Sequence, residues 1–287
     1  MALRINQNLG ALNAHRWLNA NDVGLSKSIE KLSSGFRINA AADDPAGLVI
    51  SENLRSQISG LGQALSNTQS AINMMKTAES ALQEIQNLIR TMRDLALNAA
   101  NTGAQDTVAI AADQSQIDQA IASIDRIASN TQFGSMKLFD TASNGNLDGK
   151  VFQVGANAGQ TITLDLTSAS LVSDMHATNL GDGTNAVSGI DVTSDATGAL
   201  SVLDGALTQV SSLRVFLGSV QKQSMESNLT SLGVAQENLK ASESAIRDSD
   251  MAAEMITFTK YQILLQAGSA MMTQANQSPQ ILLQMLR

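Results

Sequence analysis

Few side chains in this sequence can do chemistry. The 287-residue chain has no Cys and two His, His15 and His176. That removes disulfides, thiolate metal sites, Cys nucleophiles and any His-rich metal centre. His15 stands beside Arg16 and Trp17, and neither His belongs to a His-Glu-x-x-His array. Asp43 and Asp44 form an adjacent carboxylate pair, a type that can divide acid and base duties. Their position just before Pro45 reads instead as a helix start, since Asp accepts from first-turn N–H groups and Pro suits the first helical position. Asp140, Asp148, Asp165, Asp174, Asp182, Asp191 and Asp195 offer oxygen ligands for Ca²⁺. They lack the regular loop spacing of such sites and read as a solvated acidic surface. There is no Walker A loop, and the Gly pairs do not open a strand-to-helix turn suited to a dinucleotide. These residues predict no catalytic, metal or cofactor site, and a protein that is not an enzyme.

The elements behind these residues are mostly helices. Aromatics are 3% of the chain and hydrophobics 43%. The apolar residues are therefore Ala, Leu, Ile, Val and Met, which suit helix seams better than a core built round large rings. Two Pro leave long stretches without a helix breaker. A first helix is predicted over residues 5–36, where Leu18, Leu25 and Leu32 repeat every seven residues with Ile29 and Phe36 beside them. Asn19 and Asp22 interrupt this seam, so the helix needs a partner. Trp17 reads as an anchor between the two terminal helices. A second helix runs from Pro45 to about residue 100, roughly 80 Å at 1.5 Å per residue. Its stripe is Ile58, Leu61, Leu65, Thr68, Ile72 and Met75, then Leu82, Ile85, Ile89 and Met92. A third carries Ile117, Ile121, Ile124 and Ala128 and folds back on the second. From about residue 199, Leu203, Leu207, Val210, Leu213, Leu217 and Val220 form one stripe. Met225, Leu229 and Leu232 continue it after a slip of one position. The last helix sets Met251, Phe258, Leu265 and Met272 seven apart and is predicted to end before Ser278-Pro279. Between these helices, Val151–Val154 and Thr161–Leu166 read as short strands joined by a turn over Gly155–Gly159. The fold class is mainly α: a long antiparallel helical bundle or coiled coil, with a small β-hairpin region about 131–193.

Net charge is −8, which argues against nucleic acid as the main partner. Residues 1–40 hold five basic and two acidic groups, whereas 131–200 hold two Lys and seven Asp. The N-terminus lacks a continuous apolar h-region, and no run is long enough to span a membrane. By these cues alone the chain reads as cytosolic. The Met residues of the last helix, Met251, Met255, Met271 and Met272, read as adaptable assembly surface rather than a cofactor box. Amphipathic ends this apolar predict assembly between copies.

Four ordered motifs carry a family resemblance. Leu32-Ser33-Ser34-Gly35-Phe36-Arg37-Ile38-Asn39 with Ala42-Asp43-Asp44-Pro45-Ala46-Gly47-Leu48 resembles the N-terminal signature of bacterial flagellins. Ile124–Ala128 with Phe133–Leu138, then Phe152–Gln160, are similar to the following segments. Gln274-Ala275-Asn276-Gln277-Ser278-Pro279-Gln280, closing on Leu286-Arg287, resembles the family's tail. The match omits only about 167–197.

The resemblance implies a short-form subunit that self-assembles into the extracellular flagellar filament for swimming motility. It implies export unfolded through a dedicated channel, which explains a missing signal peptide. Residues 1–42 and 244–287 would pair in the inner tube, with assembly seams at Leu18, Leu25, Ile29, Leu32, Met251, Phe258, Leu265 and Met272. Residues 43–243 would form a rod-like helical domain. Implied partners are other copies, an export chaperone on the C-terminal helix (about 245–287), and filament cap and hook-associated proteins, with no nucleic acid and no membrane. The motif that the animal Toll-like receptor for flagellin reads falls on Arg93, Asp94 and Leu95. Thr91 replaces its leading Arg, Asp94 is a shorter acid, and Gln116 stands where the family has a Glu, so weak recognition is expected. Thr161, Thr163, Ser168, Ser170, Ser173 and Thr178 are candidates for O-linked sugars. A hook–filament junction protein shares the terminal helices, but the tail and the Phe152–Gln160 segment favour flagellin. The alternative from another class is a secreted helical adhesin or effector acting as a monomer.

Overall fold

A computed structural model describes residues 8–139, 147–166 and 174–285, with side chains as far as residue 277. The chain divides into two compact units: residues 1–58 with 237–287, and residues 59–236.

The unit made from the two chain ends is built on α1 (Leu9–Ser34) and α6 (Met251–Met285). Asn8 Oδ1 caps α1 by accepting from Ala11 N at 3.0 Å. Gly35 ends it with φ of 77°, its N–H donating to Lys31 O at 2.8 Å. Only a residue without Cβ takes that left-handed turn freely. Asp43 Oδ2 accepts from Asn39 N and Ala40 N, closing the turn, while Asp44 Oδ1 accepts from Gly47 N at 2.9 Å at the head of α2 (Pro45–Ala99). Those backbone donors, and then Lys27, hold the Asp43 carboxyl below the usual range. Asp250 Oδ1 accepts from Ala252 N and Ala253 N and starts α6.

α6 does not end before Pro279 but continues to Met285. Pro279 has no N–H to return to the carbonyl of Ala275, four residues earlier. That carbonyl accepts instead from Asn8 Nδ2 at 2.7 Å. One Asn thus caps α1 and replaces the bond that Pro removes from α6.

The unit 59–236 holds the apolar core, drawn from α2, α3 (Thr107–Asn130) and α4 (Ala196–Ser219). On α2, Leu82, Ile85, Ile89 and Met92 are fully buried, as their spacing predicts. Ile117, Ile124 and Ala128 of α3 and Leu203, Val210, Leu213 and Leu217 of α4 close over them. Three polar pairs place α4 antiparallel to α2. Arg93 Nε donates to Asp204 Oδ1 at 2.7 Å, buried Gln86 donates to Ser211 Oγ at 3.1 Å, and Arg214 Nη2 lies 3.6 Å from Glu79.

Between α4 and α5 (Ser227–Arg247) the helix continues as a π-helical segment, Val220–Glu226. This is the slip seen in the spacing. Val220 and Met225 are five residues apart, one too many for an α-turn, and the wider turn absorbs the extra residue so that Met225 is still fully buried. Gln221 Nε2 reaches Glu226 Oε1 at 3.1 Å across the same five-residue step.

Among the described residues the β region holds two small hairpins. β1 (Gln132–Phe133) pairs with β2 (Met136–Lys137). β3 (Val151–Gln153) pairs antiparallel with β4 (Thr161–Thr163), Phe152 opposite Ile162. In the turn between them Gln153 Nε2 donates to the carbonyls of Gly155 and Asn157. Leu164 and Leu166, beyond β4, are buried in the core.

Candidate assembly interface

The helix pair of the end unit is assembled from two sets of positions seven apart. On α1, Ala11, Leu18, Leu25 and Leu32 alternate with Ala14, Asn21 and Ser28 along the partly covered face. On α6 the covered face carries Phe258, Leu265 and Met272, alternating with Glu254, Tyr261, Gly268 and Ala275. The helices run antiparallel, since Leu18 meets Gly268, Gly24 meets Tyr261, and Ser28 meets Glu254. This is the 3,4 spacing of a coiled-coil seam, but half of its positions are small or polar.

Those small residues are fitted to large ones opposite. A Cβ on Gly24 would sit 2.6 Å from the Tyr261 ring, and one on Gly268 would sit 3.0 Å from Leu18 Cδ1. Ser28 Oγ donates to Glu254 Oε1, and Lys31 Nζ lies 4.0 Å from Glu254 Oε2. The same carboxylate thus takes a buried hydroxyl and a partly exposed ammonium.

A joint beside the seam ties α1 to the α5–α6 turn. Arg37 N donates to Arg247 O at 2.7 Å, Ser249 N donates to Gly35 O at 2.9 Å, and Arg247 lies 4.8 Å over the Phe36 ring. Arg247 Nη1 also donates to Glu52 Oε1 at 2.8 Å, and Arg55 Nη1 does so at 2.9 Å. The Arg247 bond first, then Arg55, holds the Glu52 carboxyl below its ordinary value.

Leu18, Leu25, Leu32, Phe258, Leu265 and Met272 line this intramolecular seam. Ile29 and Met251 do not. They are 49% and 46% exposed, and Glu254 takes the seam position at the head of α6. Trp17, expected as an anchor between the helices, is 70% exposed. It precedes Leu18, and a one-residue step turns it about 100° away from the seam. Leu9, Leu12, Val23, Met255, Ile256, Ile263 and Met271 are exposed as well. Ile38 is the one buried apolar side chain among the described residues of this unit. A helix apolar on several faces, such as α6, is stable when surrounded. The α1 helix covers one face of it.

Sequence reading missed Asn8, Gly24, Tyr261, Gly268 and Glu254. For Glu254, Tyr261 and Gly268 the signal was the second seven-residue series, 254, 261, 268 and 275, which hides because none of its residues is aliphatic and large.

The remaining candidates lie elsewhere. Arg93, Asp94 and Leu95 are on α2, where the Asp204 bond holds the Arg93 guanidinium in its charged form. Asp94 is exposed and Leu95 packs against the core. Gln116 is exposed on α3. Thr161, Thr163 and Thr178 are exposed, whereas Ser168, Ser170 and Ser173 lie outside the described residues. His176 Nδ1 lies 2.5 Å from Asp174 Oδ1, and its Nε2 lies 3.0 Å from Ser129 Oγ. Ser129 is on the last turn of α3 and Asp174 and His176 are in the loop, so these bonds tie the loop to the helix. Among the described residues no group of three or more His, Asp or Glu is placed to hold a metal ion, and no helix is long and apolar enough to cross a membrane.

Residues 5–144 match the family model described as the bacterial flagellin N-terminal helical region, and 200–286 match the C-terminal helical region. Flagellin of Bacillus subtilis (strain 168) is 43% identical over 311 residues, covering 99% of this chain and 100% of the relative. Flagellin of Halalkalibacterium halodurans is 45% identical over 288 residues, covering 99% of each. The flagellar filament 33 kDa core protein of Treponema phagedenis is 40% identical over 294 residues, again covering 99% of each. A helix pair left open on its outer faces, and family matches at both ends of a chain alike over its whole length, have one reading: the chain belongs to the bacterial flagellins.

Proposed function

We propose that the chain is the structural subunit of a bacterial flagellar filament, a homopolymer outside the cell that serves swimming motility. The observation that carries this is the end unit, with one buried apolar side chain among its described residues and apolar residues exposed on faces that α1 does not reach. Burying what remains open of Trp17, Met255, Ile256, Ile263 and Met271, which are 50–72% exposed, would contribute about 6 kcal/mol per subunit at roughly 2 kcal/mol for a full side chain. A lattice repeats that contribution in every copy. Before assembly the seam, half small and polar, holds α1 to α6 without closing the outer faces.

Within this reading residues 1–42 and 244–287 form the inner tube and 43–243 the adjoining rod-like domain. The subunit leaves the cell unfolded through the flagellar channel. The C-terminal helix, about 245–287, meets an export chaperone before it meets other subunits, and cap and hook-associated proteins contact the filament ends. The role is structural, without catalysis. Recognition by the Toll-like receptor for flagellin is weakened, because Thr91 and Gln116 supply no charge and Arg93 is engaged by Asp204. Exposed Thr161, Thr163 and Thr178 are open to O-linked sugars.

The test is electron microscopy of purified protein after salt-induced polymerisation on filament seeds. Long helical filaments are expected. Protein that stays monomeric at high concentration, with seeds present, would instead fit a secreted adhesin or effector.

A further inference from the structure

The described methionines span a range of exposure, with Met136 and Met272 half-buried between two extremes. Met74, Met75, Met92, Met175 and Met225, all in the unit 59–236, are at most 2% exposed. On α6, Met251, Met255 and Met271 are 46%, 50% and 64% exposed. Met255 lines an open groove with Ile256, Thr259, Lys260 and Ile263. The Thr259 hydroxyl is already committed, donating to Met255 O at 2.8 Å. A thioether is oxidised at a rate set by its access to the oxidant.

We infer that Met251, Met255 and Met271 are the oxidation site of the free subunit, where a peroxide converts thioether to sulfoxide and stops assembly. The inference rests on the filament reading. In the step, a sulfur lone pair attacks one oxygen of hydrogen peroxide. The S–O bond forms and the O–O bond breaks. Sulfur is oxidised by two electrons and peroxide is reduced; the departing hydroxide takes the proton from the transferred oxygen and leaves as water. The product is a polar, chiral side chain on the faces that must become dry between subunits. A buried S=O without a donor carries the desolvation penalty of any unpaired polar group. Three such groups per subunit oppose each addition. The lesion is reversible, because methionine sulfoxide reductases return the thioether. Once α6 is enclosed by other copies the same sulfurs are shielded, so free subunits are sensitive and filaments are not.

The test treats unpolymerised full-length protein and preformed filaments with dilute hydrogen peroxide, then maps the added oxygen by peptide mass spectrometry. In free subunits Met251, Met255 and Met271 gain one oxygen each while the five buried methionines do not. In filaments the three are protected. Seeded growth is then measured. Oxidised subunits show a critical concentration raised at least about tenfold, corresponding to about 1.4 kcal/mol per addition, and reductase treatment restores it. In the M251L/M255L/M271L variant, close in volume, peroxide treatment does not raise the critical concentration above the variant's own untreated value. If that variant assembles poorly when untreated, reductase rescue of the native protein decides. Normal growth of subunits carrying all three sulfoxides, or a block that reductase does not lift, overturns the inference. Failure of untreated native protein to polymerise would instead sink the filament reading itself.

Discussion

Deleting Gln223 should leave the subunit folded. Gln223 is exposed inside the π-helical segment Val220–Glu226, where five residues separate Val220 from buried Met225. Removing it makes that step four, the spacing of an ordinary α-helix, and Val220 and Met225 keep their faces. The change should stay within about 1 kcal/mol, which for a unit of this size is a Tm shift of no more than about 4 °C. Deleting exposed Ser212 gives the control. It turns Leu213 and Leu217 by about 100° until the π segment relaxes, and both side chains are at most 1% exposed. Losing two buried Leu costs about 2–5 kcal/mol each, so Tm should fall by at least about 10 °C. Circular dichroism melts of the unpolymerised full-length chain separate the outcomes, and hydrogen exchange around Met225 and Leu232 locates the effect. A loss on deleting Gln223 as large as on deleting Ser212 would refute the insertion account.

Asn8→Ala should destabilise the end unit by about 1–2 kcal/mol, by loss of the cap and of the donor to Ala275 O. Adding Pro279→Ala restores an N–H to that carbonyl, so a double-mutant cycle read by hydrogen exchange should show coupling between residues far apart in sequence. Gly24→Ala should lower stability by about 1–3 kcal/mol through overlap with the Tyr261 ring. With Tyr261→Ala in place the sign should reverse, since Ala is the better helix former by about 1 kcal/mol. Glu52, whose carboxyl is held low by Arg247 and Arg55, stabilises the joint above its unfolded pKa. That stability is lost as pH falls through the lower folded value. Glu52→Gln should therefore flatten the dependence of Tm on pH below about pH 4.5. A slope equal to that of the native protein would count against the Arg247–Glu52 contact.

Where apolar residues are large and evenly spaced, the fold was readable from sequence. Leu82, Ile85, Ile89 and Met92 on α2, and Ile162 alternating with Thr161 and Thr163 on β4, needed no structure to place. Harder features involve one residue acting through another far away. The step from Val220 to Met225 was visible as a slip, but spacing alone does not say whether a loop, a kink or a wider turn absorbs it. Pro279 reads locally as a stop, and only Asn8, at the other end of the chain, supplies the donor that lets α6 continue. Met251 fits a seven-residue series with Phe258, yet the seam there belongs to Glu254, because Ser28 and Lys31 gather round its carboxylate. Hairpin β1–β2 was missed because two-residue strands show no period. The Gly134-Ser135 pair between Phe133 and Met136 was its one cue, and Gly134 has φ of 64°.

The division of the chain also bears on the order of folding. Asn8 and Ala275 are 267 residues apart, so closing α1 on α6 directly from an open chain means closing a very long loop. The unit 59–236 is continuous in sequence and can form without either end. Once formed, it brings residue 62 against Gln236, within 3.2 Å of where a Cβ at Gly62 would lie. The long loop is then already closed, and the terminal helices have only to zip from neighbouring starting points. Contact-order reasoning therefore makes the core fast and early, and the end unit late and the first to open. The segment that stays available longest to a binding partner is thus chosen by kinetics, before any surface chemistry acts.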